Sequence, residues 1–235
     1  MAESKLKYVF ITGASRGIGL FLAGRFLRGG YIVLAGVRDP ASVRGADFRT
    51  GAMAIPLDVT SAQSIAEAVR QTRKITPALD ILINNAGVHF PSEDAPLEEL
   101  DLTDGLLEKT MEVNVYGPLR ITQQFLPLLE QGHSKLIVNI SSEAGSISAC
   151  PRTREFSYAM SKSALNMQSK LLHNYLAPRG YHVLAMHPGW VRTDMGGPNA
   201  DLSGDQSADG IFDVIARGQL QDEIYLDYQG RLLGW

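Results

Sequence analysis

The chain has 235 residues, with 22 Lys or Arg against 25 Asp or Glu and a formal net charge of −3. That length suits one large α/β domain, stable without disulfides or metals, and the charge supplies no global field for nucleic acid or an anionic membrane. The single cysteine, Cys150, excludes an internal disulfide framework and fits a reducing compartment; no apolar run is long enough to cross a bilayer, so a soluble cytoplasmic protein is expected.

Tyr8–Thr12 reads as a first strand. It runs straight into Thr12-Gly13-Ala14-Ser15-Arg16-Gly17-Ile18-Gly19, which opens a helix over Gly19–Arg28 with Leu20, Ala23 and Leu27 on one stripe. Glycines serve where backbone turns tightly and approaches a ligand without a Cβ in the way. A helix N-terminus offers unpaired N–H groups and a positive dipole end, which suits a pyrophosphate. The spacing is G-x-x-x-G-x-G rather than the commoner G-x-G-x-x-G. Its place between strand and helix makes it a cofactor loop, and Arg16 adds a cation.

A second strand covers Tyr31–Val37, and its end should meet an adenosine ribose. An acid there favours a free 2′-hydroxyl and an arginine favours a 2′-phosphate. Both follow the strand, as Arg38 and Asp39. Arg38 with Arg16 outweighs one acid, which favours NADP(H) over NAD(H); Asp39-Pro40 also fits a plain turn or helix start.

Ala52–Leu57 is a weaker third strand, and Ser61–Ile75 a helix with Ser61 as its N-cap. Ile81–Asn84 is a strand, and Asp104–Glu130 a long helix that Pro118 should kink or break. Strands at Lys135–Ile140 and His182–His187 flank a helix over Tyr158–Leu176, ended by Pro178 and Gly180. A loop spans Met195–Asp209, either a substrate lid or a plain connection, and Glu223–Leu226 is a last strand. The first six strands do not alternate apolar with polar, as expected when both faces of a parallel sheet are covered. The rhythm implies an α/β fold of Rossmann type: a doubly wound parallel sheet with helices on both faces, in a single domain over residues 1–235.

Tyr158 and Lys162 lie four residues apart at the start of a helix and share a face. Free tyrosine titrates near 10, too high for easy proton transfer at neutrality, and a nearby ammonium should lower that value. Ser141 and Ser142, just past a strand end, offer a hydroxyl to hold a substrate oxygen beside the phenol.

With these motifs the chain resembles the short-chain dehydrogenase/reductase family over nearly its whole length. The family's cofactor motif is matched by Thr12, Gly13, Gly17 and Gly19, and its Asn-Asn-Ala-Gly by Asn84-Asn85-Ala86-Gly87. Its helical asparagine is Asn114, its catalytic serine Ser142, its Tyr-x-x-x-Lys pair Tyr158 and Lys162, and its Pro-Gly turn Pro188-Gly189, followed by Val191 and Thr193. The resemblance implies that Tyr158 exchanges a proton with the substrate oxygen while Ser142 hydrogen-bonds it. It implies that Lys162 lowers the tyrosine pKa and holds the nicotinamide ribose, and that Asn114 anchors a relay water. Asp58 and Val59 would meet the adenine, Asn85, Ala86 and Gly87 the adenosine and ribose, and Val191 and Thr193 the carboxamide. The acidic position that selects NAD(H) in the family is Val37 here, which again favours NADP(H).

The segment from His187 to Ala200 and the ending from Tyr225 to Trp235 resemble C-factor-like and sniffer-like carbonyl reductases. That implies an enzyme interconverting a small-molecule carbonyl and an alcohol. The C-factor likeness keeps open a dinucleotide-binding signalling module with little turnover. The resemblance also implies a homodimer or homotetramer built through the long helices after Asp104 and Tyr158. The stretch from Ser142 to Tyr158 is a few residues longer than usual in the family, around Cys150 to Phe156, and should reshape the substrate mouth. Arg152 and Arg154 there are expected to pair with acids such as Glu155 rather than bind an anion. His89, Phe90 and Trp190 are candidates for the pocket wall or for ordinary loop packing. His187 is expected to be structural, Cys150 inert, and His133, His173 and His182 lack metal-ligand spacing.

Overall fold

Strand β1 (Lys7–Thr12) buries both faces: Val9 and Ile11 pack on one side of the sheet and Phe10 on the other. This is why its sequence does not alternate. The computed structural model describes residues 6–43, 51–218 and 223–235, apart from the side chains of Ser42 and Glu93. Within them β1 is joined by β2 (Tyr31–Val37), β3 (Met53–Pro56), β4 (Ile81–Asn84), β5 (Leu136–Ile140), β6 (His182–His187) and β7 (Tyr225–Asp227). All pair in parallel in the order β3-β2-β1-β4-β5-β6-β7. The order reverses between β1 and β4, and in such sheets ligands bind beyond the carboxyl ends at that point.

The helices are α1 (Gly17–Arg28), α2 (Ala62–Ile75), α3 (Leu106–Met111), α4 (Gly117–Leu129), α5 (Phe156–Leu176) and α6 (Gly204–Arg217). Leu22 and Phe26 of α1 and Ile211 and Val214 of α6 cover one face of the sheet. Ile65 and Val69 of α2 and Ile121 and Phe125 of α4 cover the other. Polar donors inside the sheet are paired: Asn84 donates to Thr122 Oγ1 (3.1 Å) and Asn139 Oδ1 (2.8 Å), and Asn139 donates to Ser169 Oγ (2.8 Å). Ser61 caps α2 as its sequence predicts, accepting from Ser64 N at 3.2 Å.

Two expectations change. The long helix runs on through Pro118 without a break. It widens just before it, into a π-helical turn over Glu112–Tyr116, where Gly117 N–H donates to the Glu112 carbonyl five residues back. Pro118 has no N–H for the Asn114 carbonyl, and the wider turn absorbs that loss. The loop expected over 195–209 ends earlier, because Ser203 and Gln206 form a capping box that starts α6 at Gly204. Residues 204–209 are therefore helical.

Candidate active site

The glycine loop is bolted to β4 by side chains. Thr12 Oγ1 accepts from the N–H groups of Asn85 and Ala86, both at 3.0 Å, and Asn85 Nδ2 donates back to the carbonyls of Thr12 (2.9 Å) and Gly13 (3.2 Å). Gly13 has φ +66° and lies so close to Ala86 that a Cβ would sit 2.9 Å from its Cα. A Cβ at Gly19 would collide with Asn85. Helix α1 then begins with Arg16 extended, no side-chain cap and no acid in its first turn. Its first N–H groups thus keep no side-chain acceptor, which leaves them for an anion.

These N–H groups face a cleft of about 380 Å³ lined on one side by Arg16, Gly17 and Ile18, and at its floor by Asn85, Ala86 and Gly87. Its far wall carries Tyr158 and Lys162, and its roof Pro188, Thr193, Asp194 and Met195. Ser15 is half-buried in the loop, and Gly189 and Val191 support the roof from behind, Val191 being buried. Thr193 Oγ1 accepts from Gly196 N at 3.1 Å and so shapes the turn above the cleft. Arg38, Asp58 and Val59 lie at the ends of β2 and β3, outside the cleft lining. Asp58 is held below the usual carboxylate range by hydrogen bonds from Thr60, with a smaller contribution from Arg38.

Tyr158 stands in the first turn of α5, hydrogen-bonded to the Ser142 hydroxyl. Burial pushes its phenol up to about 12, against the opposing effect of that bond; Glu143 raises it further and Arg152 lowers it. Lys162 is buried and donates from Nζ to the Ile140 carbonyl at 2.9 Å, with Nζ 5.6 Å from the Tyr158 ring centre. Burial pushes it down to about 8. The expected lowering of the phenol by a neighbouring ammonium is therefore corrected. Both groups lose water, the Lys162 amine is aimed at a carbonyl, and desolvation outweighs any attraction between them.

Asn114 lies in the π-helical turn. Its Oδ1 accepts from Val88 N (2.8 Å), and its Nδ2 donates to the Val88 carbonyl (2.9 Å) and Ser161 Oγ (3.0 Å). It thus ties the floor of the cleft to α5. Ser141 and Ser142 are told apart by direction. Ser141 Oγ donates into the core, to Asn166 Oδ1 at 2.6 Å. Ser142 Oγ accepts from Ala144 N (3.1 Å), donates to Glu143 Oε2 (3.2 Å) and reaches Tyr158.

Two supports escaped the sequence reading. Tyr225 OH donates to the Ser142 carbonyl at 2.6 Å and its ring stacks on Trp235, 5.2 Å between centres. Glu143 joins Ser142 to Arg152, which also pairs with Glu155. The place of β7 on the same rim as β5 was the available signal for Tyr225. Arg152 pairs with acids as expected, whereas Arg154 donates to a backbone carbonyl, that of Asp94, at 3.0 Å. His89 packs its ring edge-on against Tyr158, centres 5.1 Å apart, and with Phe90 lines the cleft. Trp190 is exposed and donates to the Gly196 carbonyl. His187 Nδ1 accepts from Glu143 N at 3.1 Å, a structural role. Cys150 is free and exposed.

A family model described as short chain dehydrogenase matches residues 7–202. The chain belongs to the short-chain dehydrogenase family. This short-chain dehydrogenase is 38% identical over 165 residues to C-signal of Myxococcus xanthus, covering 70% of this chain and 97% of that one. Its fold superposes on an NADPH-bound carbonyl reductase from chicken fatty liver with a TM-score of 0.85 at 30% identity, over 98% of this chain and all of the other. It superposes on the carbonyl reductase Sniffer of Drosophila melanogaster with a TM-score of 0.88 at 25% identity, over the same shares. Among the described residues of this short-chain dehydrogenase, no helix is long and apolar enough to cross a membrane.

Proposed function

We propose that this short-chain dehydrogenase is a carbonyl reductase that uses NADP(H), and that it runs the reverse alcohol oxidation with the same groups. The observation that carries the reading is Tyr158 beside the buried Lys162 in the wall of a cleft whose other side is the glycine loop. A nicotinamide held in the cleft would supply or accept the hydride. The protein's own residues manage the proton. A phenol held near 12 stays protonated at neutrality and so stands ready as a general acid toward a carbonyl oxygen. Ser142 holds that oxygen within reach. Lys162, pushed to about 8, lies where it can gain or lose a proton near neutrality, and Asn114 holds the wall behind it for a relay to solvent.

The residues present fit a dinucleotide. The uncapped start of α1 suits a pyrophosphate, and Arg16, Gly17, Ile18, Asn85, Ala86 and Gly87 form the cradle. Asp39 is spent locally, accepting from Ala41 N at 2.9 Å, while Arg38 is exposed and Val37 buried. Among the described residues Arg16 is engaged in an exposed pair with Asp194, which costs little to exchange. Two cations and no free acid favour a 2′-phosphate.

A signalling module with little turnover is the second reading, favoured by the likeness to C-signal. One set of titrations separates them. The reductase reading expects NADPH to bind more tightly than NADH, turnover in a panel of aldehydes and ketones, and a gap between the cofactors that narrows about tenfold or more in Arg38→Ala. Tight NADPH binding with no turnover across the panel favours the module, and equal affinities for both cofactors defeat the NADP(H) assignment.

A further inference from the structure

We infer that His89, Asp94 and Glu155 form a Zn²⁺ site at the mouth of the cleft, distinct from the proton-transfer groups. The three come from separate segments: His89 follows β4, Asp94 ends the 3₁₀ turn Pro91–Asp94, and Glu155 precedes α5. One ligand atom from each lies within 4.8 Å of the others. His89 Nε2 is buried and makes no hydrogen bond. Its nearest acceptors are Asp94 Oδ1 at 3.4 Å and Glu155 Oε1 at 3.8 Å. A tetrahedral Zn²⁺ with bonds of about 2.0–2.2 Å spaces its ligands about 3.3 Å apart. The two His89 distances need closing by about half an ångström or less, and the Asp94–Glu155 pair, within 4.8 Å, by at most about 1.5 Å, which the exposed Asp94 side chain can supply. The ligand types decide the cation. One imidazole nitrogen with two carboxylates suits zinc, whereas calcium and magnesium prefer oxygen alone.

The other groups around the cluster leave the site usable. Arg152 takes the second oxygen of Glu155, Oε2, and leaves Oε1 facing His89. Arg154 binds the backbone carbonyl of Asp94, not its carboxylate. Three protein ligands leave a fourth position for water. Because the His89 ring packs on Tyr158, a bound ion would fix the wall against which a substrate must enter, and would join the two lips of the mouth.

The test measures binding directly and does not depend on turnover. The full chain, freed of metal, is titrated with Zn²⁺ by calorimetry, and with Co²⁺ while visible absorption is followed. One bound ion is expected, with the intense bands of four-coordinate Co²⁺. His89→Ala and Glu155→Gln should each lower affinity at least about tenfold, and Cys150→Ser should leave it unchanged. Glu155→Gln keeps the side-chain shape and stands in if His89→Ala fails to fold. Undiminished affinity in the folded variants, or loss of binding in Cys150→Ser, overturns the site. So does the absence of stoichiometric binding, which would leave His89 as an imidazole beside two carboxylates and nothing more.

Discussion

Tyr158 owes its character to what surrounds it. Excluded from water, it keeps its proton, while Lys162 four residues on gives its own up easily. The pair Tyr158 and Lys162 was legible from spacing, and Ser142 and Asn114 from motifs at a strand end and within a helix. The direction of the tyrosine shift was not legible, because it depends on how completely folding excludes water. Nor was Tyr225, which reaches Ser142 from a strand far along the chain. The buried lysine has a consequence for stability. Its value falls from an ordinary 10.5 to about 8 on folding, so between those values the unfolded chain holds more protons than the folded one. Stability from this group therefore rises with pH across that interval and is absent below it. Without bound cofactor, the thermal midpoint of the unmodified chain should gain on that of Lys162→Met as the buffer moves from pH 7.5 to 9.5. A constant difference across that range would show that Lys162 is not perturbed.

At the scale of elements, all seven strands lie within two residues of where apolar runs place them, since burial on both faces writes itself into composition. The ends are less legible. The start of α6 depends on a capping box inside a stretch that reads as loop, and the π-helical turn depends on which carbonyl Pro118 leaves without a donor. That turn is what lets Asn114 reach both Val88 and Ser161. In Pro118→Ala the Asn114 carbonyl gains an N–H four residues on, and the turn can tighten to an α-helix. Turnover should fall about tenfold, equal to about 1.4 kcal/mol, while the melting temperature stays level or rises. Unchanged turnover would mean that the wide turn does not position Asn114.

The whole molecule places its chemistry at one point, where the strand order reverses, and leaves its outer helices to other uses. On α5, Met167, Leu171 and Tyr175 are each more than half exposed and share a face with Met160; Tyr116, just before α4, and Leu119, within it, are also exposed. This is the surface through which we propose that the chain self-associates, as a homodimer or homotetramer. Sedimentation should give a dimer or tetramer for the unmodified chain and a smaller species for Met167→Glu with Leu171→Glu, whereas a monomer in both sinks the proposal.

If Tyr158 and Ser142 act on one substrate oxygen, a double-mutant cycle on kcat/KM reads it out. With NADPH and an accepted carbonyl substrate, Tyr158→Phe and Ser142→Ala should each lose about a hundred- to ten-thousandfold. Combined, they should lose little more than the worse of the two, because groups that act as a unit are not additive. Near-normal turnover in Tyr158→Phe, or losses that simply multiply, would mean that the two hydroxyls do not share one substrate oxygen.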